Sequence, residues 1–394
     1  MSEAKPSAPK TRDWSLRSAA VRGLLYQVVA IAVLVLSVWY LAYNTLTNMH
    51  ARGIQSGFDF FSNPAGFQIG ESLFEFDSTQ SYGWAFVVGL TNTLRVALVG
   101  IVFTTLLGIL LGVGQLSRNF LARTLCRVYV EGFRNVPLVL QLFMWYFFLT
   151  QFLPPLSEPI KPLPWVFLSQ NGLQYPIPDW AFGHLTMLIG ALAGSVGAWW
   201  YRRRALHQLE ATGKLPAVFW PMVGLVLGGG LIGWLVGGAP NVMDVPEIGD
   251  FNIVGGGSIT PEYMTLTLGL TLYTAAFVAE VVRGGVQSVS HGQTEAAAAL
   301  GLSRGQALRL VILPPALRVI IPPTTSQYLN LTKNSSLAVI IGYPDLVSVS
   351  NTTLNNTGRA VECIAVIMAV YLAISLLTAW LMNAYNRKVA IKER

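Results

Sequence analysis

Residues 295–314 read EAAAALGLSRGQALRLVILP, from Glu295 to Pro314, a segment with polar positions standing between long apolar runs. Glu295 opens a turn in which Ala296, Ala299 and Leu300 share one face at helical spacing. Gly301 can take positive φ and so stop that helix. Ser303 and Gln306, three positions apart, form the pattern of a capping box that starts a second helix. Pro314 and Pro315 are expected to end it, because each ring removes an amide donor and restricts its predecessor. Two short helices joined by a tight turn, in an otherwise apolar chain, suit a surface pressed against a partner.

Outward from this segment, 53% of the 394 residues are hydrophobic and 11% charged, against roughly 25% charged in soluble domains. The composition indicates an integral membrane protein. Eight segments can span: Leu24–Tyr43, Phe86–Gly114, Leu138–Leu153, Gly183–Trp200, Ala217–Gly237, Tyr263–Val282, Pro322–Ile341 and Val361–Ala384. A span needs about 20 apolar residues. The third is short unless it extends back toward Tyr129, and the seventh is unusually polar. The first run follows a basic leader (Lys5, Lys10, Arg12, Arg17, Arg22). It exceeds the roughly 7–15 residues of a signal-peptide core and lacks a small-x-small cleavage pattern before Asn44, so it reads as a retained helix.

With both termini inside, 21 of the 26 Lys and Arg fall on inner segments. Arg52, Lys161 and Arg359 fall outside, and Arg95 and Lys333 lie within spans. This bias sets the expected orientation and puts the Glu295 segment in the cytoplasm. The exterior loops are then 44–84, with Asp59, Glu71, Glu75 and Asp77; the Pro-rich stretch 154–182, expected to be extended; and 237–262, with room for a short hairpin. No internal repeat or low-complexity tail is visible.

Nothing in the chain forms a catalytic or metal-ligating set. His50, His184, His207 and His291 are not at metal spacing, and Cys126 and Cys363 read as small buried hydrophobes. The net charge of +7 is no nucleic-acid signature, because the positive residues sit at the ends of apolar runs. No phosphate-binding loop is present: Gly213-Lys214 is followed by Leu215 and lacks the upstream glycine. Any nucleotide energy must come from another chain.

Three blocks carry a family resemblance. In the first, Glu295, Ala296, Ala297, Gly301, Val311, Leu313 and Pro314 stand at the spacing of Glu-Ala-Ala, three residues, Gly, nine residues, Ile, one residue, Leu-Pro, with Val for the Ile. In the second, Tyr129, Val130, Glu131, Phe133, Arg134, Pro137 and Gln141 follow the pattern aromatic-Val-Glu-x-Phe-Arg-Gly-Thr-Pro and then Gln, with Asn135-Val136 for Gly-Thr. In the third, Lys333, Asn334 and Ser335 stand where the pattern has Lys-Asp-Thr. The chain thereby resembles the permease subunit of an ATP-binding-cassette importer of the polar amino acid uptake family. It is most similar to the larger permease of general L-amino acid and glutamate/glutamine/aspartate importers. The resemblance covers about residues 86–153 and 262–390.

The resemblance implies an all-α polytopic membrane protein of about eight transmembrane helices, with a type I importer permease core and a cytoplasmic coupling-helix loop. The expected layout is a cytoplasmic segment 1–23, an extra helix 24–43, a periplasmic loop 44–85, the permease domain 86–384 with inserted spans at about 183–237, and a cytoplasmic tail 385–394. Implied partners are a second permease subunit, two ATP-binding subunits that hold ATP and Mg, and a periplasmic amino-acid-binding protein, with an L-amino acid as substrate. No cofactor is expected on this chain, whose place would be the bacterial inner membrane.

The coupling role falls on Glu295, Ala296, Ala297, Gly301, Ser303, Val311, Leu313 and Pro314: the alanines allow close backbone approach, and Glu295 can pair with a basic partner. The same loop could instead lie on lipid headgroups as an amphipathic segment. An ionisable group within a span is costly and should face a cavity or partner. Lys333, with Gln327, Asn330, Asn334, Ser335 and Ser336, is therefore a candidate wall of a translocation path, with helix–helix hydrogen bonding as the alternative. Glu131, Arg134, Glu280 and Arg283 read as structural or intersubunit residues, and Arg95 as a side chain snorkelling outward. The exterior acids read as a solvated loop, or as a docking surface for the binding protein. Two rival functions remain at this point: an ion-coupled secondary transporter, which would show inverted repeats and mid-membrane acids, and a membrane scaffold without transport.

Overall fold

The computed structural model describes residues 19–51, 53, 56–212, 217–249 and 253–389. The leader from Lys5 to Arg17, Arg52, Gly213-Lys214 and the terminal Lys392 and Arg394 lie outside the described residues. Helices dominate. Among the described residues seven are long and apolar enough to cross a membrane, or eight if one sharply bent pair counts as a span.

Helix α1 (Ala19–Ala51) stands apart, exposed at every side chain from Arg22 to Asn48. The segment that follows it contains a short 3-10 turn, Asp59–Ser62, and leads to α2 (Tyr82–Gln115), capped by the Ser81 hydroxyl. Helix α3 (Phe120–Asn135) is capped by Asn119 and shows an apolar face of Phe120, Leu121, Leu125 and Val128. Helix α4 (Leu138–Phe147) continues as a π turn to Phe152. The third expected span does not extend back toward Tyr129. The chain turns by 104° between α3 and α4, because Val136 is extended before Pro137 and a residue preceding proline disfavours helix. The Gln141 amide closes the corner, donating to the carbonyls of Phe133 and Val136, each at 2.9 Å.

The Pro-rich stretch is extended, as its composition suggests, but it is also paired. Strands β1 (Ile160–Leu163), β2 (Val166–Ser169) and β3 (Gly172–Tyr175) form consecutive antiparallel partners. Strand β4 (Ile177–Pro178) leads to the long helices α5 (Phe182–Thr212) and α6 (Phe219–Val236), an antiparallel pair whose extended packing is with each other. Strands β5 (Met243–Asp244), β6 (Glu247–Ile248), β7 (Ile253–Val254) and β8 (Gly257–Ile259) follow. β5 pairs with β4, β6 with β7, and β8 completes the four-stranded sheet beside β3. Gly172, at φ +96, packs so closely on Ile259 that a side chain would strike its carbonyl.

Helix α7 (Pro261–Gln287) begins at the Thr260 cap and lies against α2 through the centre of the molecule. Val96, Leu142, Leu266, Leu270, Leu331 and Tyr343 form the buried cluster where α2, α4, α7 and the following helices meet. The short helices α8 (His291–Ala299) and α9 (Arg304–Ala307) precede a π turn, Leu308–Ile312, and α10 (Leu313–Asn334), which tightens into a 3-10 turn, Ser335–Ile340. Pro314 and Pro315 therefore do not end a helix. They sit where the π turn Leu308–Ile312 passes into α10, and the wider bonding of that turn accommodates their missing N–H groups within a continuous helix. The polar seventh span accordingly runs from Gly305 to Ile340 rather than from Pro322. Helix α11 (Leu346–Thr357), unanticipated from its Ser, Thr and Asn content, is bounded by the Asp345 cap and Gly358 at φ +70. Helix α12 (Ala360–Val389) ends the described chain.

Candidate functional site

The Glu295 loop is a built element. Helix α8 ends in the paired bonds of a glycine-terminated helix: Leu302 N–H to the Ala297 carbonyl (3.1 Å) and Gly301 N–H to the Ala298 carbonyl (2.9 Å). Gly301 is at φ +72, which few other residues tolerate. The capping box is present in both directions, Ser303 N–H to Gln306 Oε1 at 2.9 Å and Gln306 N–H to Ser303 Oγ at 3.4 Å. His291 and Glu295 face each other across one turn, Nδ1 to Oε1 at 3.3 Å, with both side chains largely exposed. Glu295, Ala296, Gly301, Ser303 and the 79%-exposed Leu300 present the outer surface, whereas Ala297 is turned inward and buried. Val311, Leu313 and Pro314 are half-buried at the π turn and the start of α10, so the structure divides the eight signature residues between an exposed loop and its support.

The polar end of α10 divides similarly. Lys333 and Asn330, three residues apart, are exposed on one face. Gln327, Asn334 and Ser336 are half-buried and Ser335 is fully buried. The Ser335 hydroxyl donates to the Thr332 carbonyl and Ser336 to that of Lys333, each at 2.7 Å, so both serve the local backbone. Tyr328, on the same helix, meets Thr105 of α2 at 2.7 Å.

At the Glu295 end of the bundle, Gln115, Arg127, Glu131, Arg134, Glu280 and Arg283 line a cleft of about 320 Å³. Arg283 grips both oxygens of Glu280 and also reaches Gln287 at 2.6 Å. Arg134 lies 5.3 Å over the Phe277 ring, and no Glu131–Arg134 pair is present among the described residues. The described residues contain no cluster of three or more His, Cys, Asp or Glu able to hold a metal.

At the opposite end the acids expected to be exterior divide: Glu71 is buried, whereas Asp59, Glu75 and Asp77 are exposed as a solvated loop would have them. Asp59 holds Arg359 through both oxygens (3.0 and 3.1 Å), and Asp77 caps its own turn at Thr79. Arg95 does not simply snorkel: its Nη1 meets Glu71 Oε1 at 2.6 Å, and its guanidinium lies 4.1 Å over the Tyr263 ring. Arg95 was visible in the sequence as an ionisable residue within a span. Its partner, 24 positions upstream in a loop, carries no spacing signal.

Residues 216–391 match the family described as binding-protein-dependent transport system inner membrane component. Full-length relatives agree with that match. The chain is 45% identical over 386 residues, 97% of this chain and 96% of the relative, to the general L-amino acid transport system permease protein AapQ of Rhizobium johnstonii. It is 46% identical over 386 residues, 96% of this chain and 97% of the relative, to the putative amino-acid ABC transporter permease protein YhdX of Escherichia coli. It is 38% identical over 407 residues, 95% of each chain, to the glutamate/glutamine/aspartate/asparagine transport system permease protein BztB of Rhodobacter capsulatus.

Proposed function

Because the chain belongs to the family of binding-protein-dependent transport system inner membrane components, we propose that it carries L-amino acids, acidic and neutral ones among them, by alternating access. It is the permease subunit of an amino acid ABC importer, a multi-pass inner-membrane protein and a transport subunit rather than an enzyme. The proposed assembly adds a second permease subunit, two ATP-binding subunits that hold ATP and Mg, and a periplasmic amino-acid-binding protein. Both termini are placed in the cytoplasm on the strength of the Lys and Arg bias.

The observation that carries the proposal is the α8–α9 loop. It is exposed, held in shape by a glycine-terminated helix and a capping box, and mounted between α7 and α10, two central helices packed on each other. A force applied to such a loop reaches both helices without being absorbed by the turn. Closure of the ATP-binding subunits would push it and shift the population toward one opening. Lys333 and Asn330 would line the path, where the ammonium attracts a substrate carboxylate. Asn334, lacking the charge of an Asp, leaves the site tolerant of neutral and acidic amino acids.

Glu295→Arg and Gly301→Trp variants, assembled with their partners in proteoliposomes, test the coupling role. ATP-dependent uptake should be abolished while the protein still inserts; retained uptake overturns it. Asn334→Asp should raise arginine uptake relative to glutamate, and an unchanged ratio would sink the path assignment.

A further inference from the structure

Glu71 is held at the meeting point of four segments. Its Oε1 accepts from Arg95 of α2, and its Oε2 accepts from the hydroxyl of Thr260, the cap of α7. Its backbone carbonyl receives the Asn92 amide at 2.8 Å, and the same amide donates to the Pro344 carbonyl at 2.9 Å. The Arg95 guanidinium rests on Tyr263, whose ring lies 5.8 Å from that of Tyr343. The carboxylate thus joins the loop before α2 to α2 and to the start of α7, and the Asn92 amide ties the same loop's backbone to the turn before α11.

The two partners also line two different spaces. One is a cavity of about 390 Å³ that Glu71 lines with Gln68, Thr260, Glu262, Ser348 and Thr352. The other is an apolar cleft of about 830 Å³ between α2 and α7, which Arg95 and Tyr263 line together with Val99, Phe103, Met264 and Leu268. Glu71 borders the first and Arg95 the second. A buried ion pair is weak evidence for stability, because desolvation offsets most of the attraction; its best-attested use is as a register or switch device. Of the five guanidinium N–H groups of Arg95, the described hydrogen bonds engage Nη1 alone. A second carboxylate can therefore reach the guanidinium before Glu71 leaves, so that exchanging one carboxylate for another keeps the buried guanidinium paired throughout.

We propose that Glu71–Arg95 is a carboxylate-exchange latch: the carboxylate of an amino acid takes the place of Glu71 on Arg95 and so opens the way from the polar cavity to the cleft. The proposal rests on the amino acid importer reading. Glu71, once released from Arg95, leaves Thr260 as well and turns into the polar cavity that both residues line. A solute without a carboxylate would leave Arg95 buried and unpaired, so the latch admits the class of solute that its guanidinium can hold. Arg95 then acts as a specificity residue and Glu71 as its internal competitor.

The test uses the complete permease–ATPase complex in nanodiscs, without the binding protein, whose own selectivity would mask the effect. Spin labels at Leu73→Cys and Ser258→Cys, both exposed and each two residues from a latch partner, report the separation of the loop from the start of α7. Millimolar L-glutamine should increase a longer-distance population several-fold, whereas L-glutamine amide, which lacks the carboxylate, should not. Glu71→Gln should populate the longer distance without any solute. Arg95→Gln should abolish the difference between the two solutes, and Arg95→Lys should keep part of it. Equal responses to acid and amide, or an unchanged distance in Glu71→Gln, would overturn the latch. ATP-driven uptake of L-glutamine by the unsubstituted importer is measured separately: if it proceeds while the distances stay indifferent, the latch alone fails, and if it is absent, the transport reading fails as well.

Discussion

Gly190 of α5 and Gly229 of α6 pack backbone to backbone: a side chain built on either would strike the carbonyl oxygen of the other. Gly194, Gly233 and Gly237 make similar approaches, so the two helices touch along most of their shared length. Lipid tails are as apolar as leucine, and close packing of small residues is what holds helices together in that solvent.

Gly190→Val should therefore open the hairpin at a cost of about 1–3 kcal/mol, the usual range for overpacking. Because the extended packing of α5 and α6 is mutual, the damage should stay local. Amide hydrogen exchange should rise within residues 182–236 and remain unchanged in α2 and α7.

The corner at Pro137 depends on a donor. Gln141→Leu removes the two hydrogen bonds to Phe133 and Val136 and should lower stability by about 1 kcal/mol. Gln141→Glu should be worse than Leu, since it sets a carboxylate against two carbonyl oxygens. Thermal denaturation of the purified protein in detergent would show that order.

Asp345, fully buried at the start of α11, has its carboxyl pushed up to about 7 by burial, against the opposing pull of the Ser348 N–H it caps. The folded state thus holds this proton more tightly than the unfolded chain does. The resulting stabilisation is full below about pH 4 and is lost as pH rises through about 7. Asp345→Asn keeps a capping acceptor and should flatten this part of the stability profile, measured as thermal midpoint against pH.

In the α8–α9 loop, Ser303→Ala should cost about 1 kcal/mol through the lost cap. Gly301→Ala should cost about 1–2 kcal/mol, because φ +72 brings a Cβ against the following carbonyl. Both should speed hydrogen exchange in residues 291–307 before they affect membrane insertion.

Local chemistry was the legible part of this molecule. The Ser303–Gln306 box and the Gly301 stop depend on neighbours three to five residues apart, and both appear as read. The expected spans were located by apolar runs, with end errors where Pro-containing turns intervened. Pro137 broke a helix and Pro314 did not, because the first follows an extended Val136 and the second lies where a π turn passes into α10. Helix α11 was missed because the Ser, Thr and Asn that dominate it also fit a loop, although Asp345 and Gly358 marked its two ends. Glu71 with Arg95, Asp59 with Arg359 and β3 with β8 are unions of distant segments, and no periodicity in one chain announces them.

The π turn at Leu308–Ile312 has a consequence for how this protein can vary. Such a turn carries one residue more than a regular helix would, and each helical residue advances the azimuth by about 100°. The exposed loop before the turn and the packed helix after it are therefore set to independent angular phases. A one-residue insertion or deletion on the loop side could be absorbed there by gaining or losing that bulge, leaving α10 with the same face toward α7.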